Sequence, residues 1–417
     1  MSGFMFWQDY IYDIFSRLGV VEVSGVKKKK LLVTASTFPR WEGDTEPRFV
    51  LDLSSHMTDK FDVTVLVPAA PGAKKREVLE GVEVIRYHYF PVHKWETLCY
   101  PGAIVPRIKE KKVRVLLVPF LFISLYFHLF KLLPKYDVVH AHWLIPQGIV
   151  QSFFKKSYIV TGHGGDVTSL NKGILKKLKI RCLRKAKHVT VVSEYLKEKI
   201  QELVPEIEPN VISMGVDTSK FGKQYAVPNY FGQNDKKVVL FVGRLAEVKG
   251  VTYLIEAMRQ IDALLVIVGD GPLKKELEKQ AQKINNSIGI ERIKFLGSKT
   301  HKELNSIYAS ADIFVMPSVT ARDGGREGFG LVMLEAMASG LPIVASNSGG
   351  IAQLIQDGVN GLLCEERNID QLIEYINVLL DNSNLYRYIV ENGKETVNLY
   401  DYIKIGKKYI EIIGKKC

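Results

Sequence analysis

The 417 residues read as an α/β protein made of two doubly wound, Rossmann-like domains, and three observations predict it. The chain is too long for one ordinary hydrophobic core, so two domains are the expectation. Short runs of Val, Ile, Leu and Phe alternate with segments of helical periodicity, the pattern of parallel strands covered by helices. That alternation starts twice, at KKKKLLVTAS (27–36) and at KKVVLFVG (236–243), with a polar stretch containing Pro, Gly and Asn between the two series. A hydrophobic share of 47% with 24% charged residues fits a packed globular protein and not a disordered chain. The expected organisation is an extension over 1–26, a first domain over 27–213, a second over 214–399 and a closing helix over 400–417.

Phe4, Trp7, Ile11, Ile14, Phe15 and Leu18 recur at helical spacing, so 1–26 is expected to be an amphipathic helix packed on the body. Membrane contact and self-association are its alternatives. It lacks the basic start and small-residue cleavage site of a signal peptide and is too short and polar to span a bilayer. The strand at 27–36 runs into the loop TFPRWEGDTEPRF and the helical FVLDLSSHMTDK, and FDVTVLVPA is the second strand. A lone Gly43 stands in that loop, so the GxGxxG dinucleotide fingerprint is missing.

Residues 113–133, VRVLLVPFLFISLYFHLFKLL, approach the length of a membrane span, but Pro119, His128 and the strand YDVVHAH behind them favour a buried or interfacial helix. With Arg107, Lys109, Lys111, Lys112 and Arg114 just ahead, the run is also a candidate for docking on a membrane surface. YDVVHAHWLIPQG and YIVTGHGGDV each carry a buried strand into a His- or Gly-containing loop, and open α/β sheets collect ligands outside such ends. A single histidine there is usually structural; His163, and after it Asp166, His140 and His142, are the candidates for another role. Residues 172–187 hold eight Lys/Arg and no acid. They are either a solvated helix face or a surface drawn to anionic lipid, at about 1 kcal/mol per basic residue. HVTVVS (188–193) and NVISMGVD (210–217) close the first series.

In the second series the strand VVLFVG is followed by Arg244 and Lys249, two cations beside a strand's carboxyl end, which suit a diphosphate. ALLVIVGDGPLKKELE is a strand, a turn permitted by Gly269 and Gly271, and a helix; IKFLGSKTHKELNSIYASADIFVMPS adds two strands and the helix between them. The stretch 318–350 then holds a glycine-rich loop at 323–325, a helix over 330–338 stopped by Gly340 and Pro342, and the strand IVAS. Glu335 sits inside the apolar run LVMLEAMA, where an ionised carboxylate needs a hydrogen-bonding partner: a core Arg, a backbone N–H or a ligand. Glu327 lies just before that helix, whose free N–H groups attract phosphates, so it is either placed to hold sugar hydroxyls or a solvated loop residue.

The segment EGFGLVMLE (327–335) resembles the E-x7-E signature of retaining GT-B glycosyltransferases, and EGFGLVMLEAMASGLPIVAS is similar to the GT4 family of that fold (glycosyltransferase group 1). GRLAEVKG (243–250) matches its G-R-x4-K-G pattern, HGGD (163–166) is similar to its HGxD segment, and MGVDTSKF resembles its interdomain link. The likeness spans 27–417 and is stronger in the second half. It implies two domains facing each other across a cleft, with the nucleotide held mainly by the second. The implied reaction moves a hexose from a UDP- or GDP-linked donor to an acceptor hydroxyl with retention. Carried over residue by residue, Glu327 contacts the donor sugar, His163 faces that sugar from the first domain, and Glu335 holds the ribose. Arg244 and Lys249 take the diphosphate, helped by the amides near Phe329, Gly330 and Leu331, and Gly43 lies near it. KFLG (294–297) lies beside the base. Gly43 stands alone where the family often has a pair, Met214 replaces a frequent Asn, and Gln353 replaces the usual Glu. The last helix is expected to cross back onto the first domain. No DxD triplet occurs, and neither a metal nor another cofactor is required.

The net charge of +12 is uneven: residues 1–210 hold 32 Lys/Arg against 21 Asp/Glu, and 211–417 hold 25 against 24. A basic first half suits an anionic partner, membrane lipid or a phosphorylated acceptor, or is the ordinary solubilising surface of a lysine-rich protein; no nucleic-acid signature accompanies it. Cys99, Cys182, Cys364 and Cys417 are scattered, which fits a reducing compartment and no structural zinc. The expected place is the cytoplasm, peripheral at the membrane face, with a lipid-linked or glycan acceptor. Rival readings are a GT-B epimerase or phosphorylase, and a catalytically silent subunit that binds sugar nucleotides. No carboxylate pair stands out as the nucleophile and acid of a glycosidase.

Overall fold

A computed structural model describes residues 28–102, 104–232 and 236–414, so the extension expected over 1–26 lies outside the described residues. The first sheet comprises β1 (Lys29–Thr34), β2 (Phe61–Pro68), β3 (Arg76–Leu79), β4 (Val82–Tyr87), β5 (Val138–His142), β6 (Tyr158–Gly162), β7 (His188–Val191) and β8 (Asn210–Val211). Their order across the sheet is β3-β4-β2-β1-β5-β6-β7-β8. Every pair is parallel except the hairpin β3/β4, whose two-residue turn puts Glu80 at φ 49° and Gly81 at φ 80°. That hairpin is not legible as such in the sequence, because Glu is an unusual residue in a turn of positive φ.

The second sheet comprises β9 (Val238–Val242), β10 (Leu264–Val268), β11 (Ile293–Gly297), β12 (Ile313–Met316), β13 (Ile343–Ser346) and β14 (Leu362–Cys364). It is wholly parallel, in the order β11-β10-β9-β12-β13-β14. β5, β6, β9, β10, β12 and β13 are buried along their whole length, as strands covered on both faces must be, and this is why they read as unbroken apolar runs. In each sheet the winding reverses at the first strand: β1 lies between β2 and β5, and β9 between β10 and β12. A crevice opens at the carboxyl ends of such reversal points.

The closing helix, Tyr402–Gly414, leaves the second domain and packs on the first. Tyr402 stacks on His56 at 5.5 Å, and the Tyr409 hydroxyl lies 3.4 Å from the Ile212 carbonyl, its acceptor. The apolar run is a short 3-10 stretch, Lys112–Leu117, followed by the helix Val118–Leu132. The expectation of burial holds for one edge only. Leu121, Leu125 and Leu129 face inward, while Phe120, Ile123, Phe127 and Phe130 face out. The stretch Lys112–Lys135 is long and apolar enough to cross a membrane, and only 17% of its most apolar window is buried.

Candidate active site in the interdomain cleft

Because the strands run parallel, the loops after β1, β5 and β6 share one edge of the first sheet, and those after β9, β12 and β13 share one edge of the second. The two edges meet. A Cβ added to Gly328 would stand 2.8 Å from the carbonyl oxygen of His163, so only glycine allows this approach of main chain to main chain. Two further contacts join the domains: the Glu194 amide donates to Gln353 Oε1 at 2.8 Å, and Lys109 Nζ pairs with Asp323 Oδ2 at 2.6 Å.

On the second domain's edge, Arg244 follows β9, partly buried, and its guanidinium makes no hydrogen bond or ion pair among the described residues. Burial pulls its guanidinium down, and the charge of Glu110 on the first domain's helix Ile104–Glu110 opposes this. Lys249 ends the turn Glu247–Lys249, and Gly250 (φ 60°) then packs so tightly on the Pro317 carbonyl that no side chain fits. That contact locks the Lys249 turn to the loop after β12. Lys249 Nζ lies 2.7 Å from Glu327 Oε2, with both side chains mostly buried. The Glu327 carbonyl accepts from the Gly350 amide at 2.9 Å, which ties its loop to the one after β13.

The helix that follows is Leu331–Ala338, with Gly330 at φ 87° as its N-cap instead of its first residue. The Phe329 ring turns inward, 5.5 Å from Tyr400. The amides of Phe329, Gly330 and Leu331 donate no hydrogen bond among the described residues, so the helix start presents free N–H groups. One turn on, Glu335 Oε2 accepts from the Tyr308 hydroxyl at 2.8 Å. Its partner is therefore neither a core Arg nor a backbone N–H. Burial pushes the Glu335 carboxyl up to about 7, and the charge of Asp52 on the opposite domain adds to the shift.

On the first domain's edge, His163 is clamped. Its Nε2 lies 2.9 Å from His142 Nδ1, and its ring lies 5.1 Å from Phe49 and 4.9 Å from Trp143. Asp166 holds the loop by accepting from the amides of His163 (3.1 Å), Gly164 (2.9 Å) and Leu144 (2.8 Å). Burial lowers the His163 imidazole to about 3, with His140 contributing, so it is neutral near pH 7.

The structure thus brings together Glu327, Lys249, the 329–331 amides and the His163 loop, with Arg244 and Glu335 on the same edge. Gly43 is less engaged: it sits in an exposed turn after β1 at φ 77°, with nothing within 4 Å of an added Cβ. The sequence reading missed Tyr308 and the cross-domain contact of Gln353, and it placed His142 and Asp166 behind His163, to whose loop the structure ties both. His142 had a partial signal, a histidine at the end of an apolar run, although the pairing of that strand beside the one leading into HGGD is set by the fold. Tyr308 had none. Among the described residues no group of three or more His, Cys, Asp or Glu is arranged to hold a metal ion.

Residues 228–396 match the family described as glycosyl transferases group 1, and residues 47–220 match glycosyltransferase family 4. An uncharacterized glycosyltransferase of Methanocaldococcus jannaschii is 32% identical over 273 residues, 64% of this chain and 72% of that protein. A GDP-mannose-dependent α-(1-6)-phosphatidylinositol monomannoside mannosyltransferase of Mycobacterium tuberculosis is 33% identical over 204 residues, 46% of this chain and 52% of that protein. Among solved structures, sucrose-phosphate synthase from Thermosynechococcus elongatus superposes with a TM-score of 0.75 at 21% identity, covering 93% of this chain and 99% of its own. Anabaena HepE, solved with UDP and glucose, gives 0.70 at 20% identity with the same coverage. The paired sheets are those of the GT-B fold, and the chain belongs to the group 1, or family 4, glycosyltransferases.

Proposed function

We propose that this transferase moves a hexose from a UDP- or GDP-linked donor to a hydroxyl of a lipid-linked or glycan acceptor, with retention, at the cytoplasmic face of a membrane. The observation that carries the reading is the Lys249–Glu327 pair at 2.7 Å, set beside the free amides of 329–331 and opposite the His163 carbonyl. A diphosphate would draw on Lys249 and a sugar hydroxyl on Glu327. Arg244, Lys249 and the helix start then neutralise charge as it develops on the leaving diphosphate, which lowers the barrier rather than merely tightening binding. Glu335 accepts from the ribose hydroxyls. Glu327 is committed to Lys249 and so is a poor candidate for a covalent nucleophile, which supports departure and attack on one face of the sugar. In that step the bond from C1 to the phosphate oxygen breaks, the acceptor oxygen bonds to C1, and its proton passes to the leaving phosphate.

The names of the relatives leave both nucleotides open: HepE was solved with UDP, and the mycobacterial relative is named for GDP-mannose. Calorimetry with UDP and GDP is the first test. One of them should bind at micromolar level, and the matching nucleotide hexoses are then screened for transfer. If neither binds, the reading of this cleft fails. Consumption of donor without any acceptor would instead favour an epimerase.

The membrane part of the reading rests on two neighbouring elements. Phe120, Ile123, Phe127 and Phe130 point out from a helix whose Tyr126 stacks on Phe154 at 4.8 Å, and the adjacent Phe153 lies 4.9 Å under Arg181, which belongs to the basic helix Gly173–Lys185. Apolar side chains flanked by exposed Lys172, Lys176, Lys177 and Lys185 suit an anionic bilayer surface. Phe127→Asp combined with Phe130→Asp should abolish flotation with vesicles containing phosphatidylglycerol, and salt should weaken it in the native protein. Binding that ignores both would remove this part of the reading.

A further inference from the structure

A row of aromatic rings runs from the closing helix to the cleft. Tyr409 lies 5.1 Å from His140, His140 4.1 Å from His142, and His142 5.1 Å from His163, centroid to centroid. His140 Nε2 lies 2.7 Å from Thr161 Oγ1, which shares a further hydrogen bond with Thr190 Oγ1 at 2.6 Å. His142 Nδ1 faces His163 Nε2 at 2.9 Å, while His142 Nε2 is buried with no partner among the described residues. His163 alone of the three is partly exposed, and its Nδ1 is left for the cleft.

Burial keeps all three rings neutral near pH 7: His140 and His163 are each pulled down to about 3, and His142 is pulled well down as well. A neutral imidazole carries hydrogen on one nitrogen and accepts at the other. One hydrogen therefore lies between His142 and His163, with two possible owners. If His163 owned it, His142 would carry its own on Nε2, as a buried N–H with nothing to accept it, and such orphans are rare in native proteins. If His142 owns it, only a lone pair is left bare. The surrounding chain is built to hold this arrangement. Trp143, directly after His142, sits at φ 71°, a strained conformation for a bulky residue, and its ring closes on His163 at 4.9 Å.

We propose that His142 is a positioning residue, donating from Nδ1 to His163 Nε2 so that His163 presents an N–H, at Nδ1, to an oxygen of the donor sugar. The sugar in this assignment rests on the transfer reaction proposed above; the tautomer does not. Two-bond nitrogen–proton correlation on protein labelled with nitrogen-15 histidine reads the tautomer directly. His163 should be protonated at Nδ1 in the native protein and in His142→Asn, whose amide can donate from near the Nδ1 position, and should be a mixture in His142→Leu. With the matching nucleotide hexose, His142→Leu should lower kcat by about tenfold to a hundredfold with donor KM little changed, by analogy with partners that orient metal-ligating histidines. His142→Asn should recover most of it, and His142→Leu should cost nothing further in a His163→Ala background.

Protonation of native His163 at Nε2 would overturn the proposal, as would equal loss in the Leu and Asn variants or an additive loss with His163→Ala. If the native protein transfers no sugar at all, the functional reading fails while the spectrum still decides the tautomer.

Discussion

The two walls of the cleft are made of different materials. The second domain's wall is charged and main-chain: Arg244, the Lys249–Glu327 pair, the open amides at 329–331 and the Glu335 carboxyl. Around His163 the first domain's wall is neutral and packed: an imidazole held by another imidazole and closed by Phe49 and Trp143. The positive excess of the first half is therefore not spent on its wall of the cleft. Much of it lies away from His163, on the helix Gly173–Lys185. On the proposed function, the contrast is a division of labour in which one wall would bind an anion and the other would shape the space around an uncharged sugar.

Removing the charge from the second wall should have the largest effect. Arg244→Ala with Lys249→Ala is expected to lower kcat/KM by about a thousandfold or more, since each group stabilises charge that grows in the transition state. A loss below tenfold in initial-rate assays would break the contrast. Next comes pH. The Glu335 carboxyl titrates at about 7, raised by burial, so below that pH it is protonated and accepts fewer ribose hydrogen bonds. Nucleotide-sugar affinity should therefore rise by up to about tenfold between pH 6 and pH 8, and Glu335→Gln should flatten the profile. A nucleotide sugar is the right probe, because a free terminal phosphate titrates near the same range. The stability of the free protein should move the opposite way. Its Glu335 binds a proton more tightly than an unfolded Glu does, so this contribution falls as pH rises from about 4.5 through 7. Smallest is the joint between the walls: Gly328→Ala pushes a methyl toward the His163 carbonyl, and kcat should fall about threefold while the thermal midpoint barely changes.

The difference between the walls also governs what the sequence reveals. The charged wall is assembled from residues close together in the chain, 244–250 and 327–335, in loops where glycine and charge stand out, and it is legible almost whole. The neutral wall depends on residues that only strand pairing unites. His142 reaches His163 because β5 lies beside β6, with His142 opposite Thr161, and nothing in a linear reading states that register. Tyr308 is equally hidden, since a tyrosine in an amphipathic helix reads as core until Glu335 is found at its hydroxyl. Both βαβ series were plain from their apolar runs. The helix Val118–Leu132 was not, because a stretch apolar on every side carries no periodicity to say which face is covered.

The division of labour is tested most directly by comparing binding of the nucleotide diphosphate with turnover of its hexose derivative in two variants. For His163→Ala the account predicts a diphosphate Kd within about twofold of native together with a kcat at least about tenfold lower, whereas Arg244→Ala with Lys249→Ala should lose both. Loss of diphosphate affinity in His163→Ala comparable to that in the double variant would contradict the account, because the neutral wall would then be holding the anion.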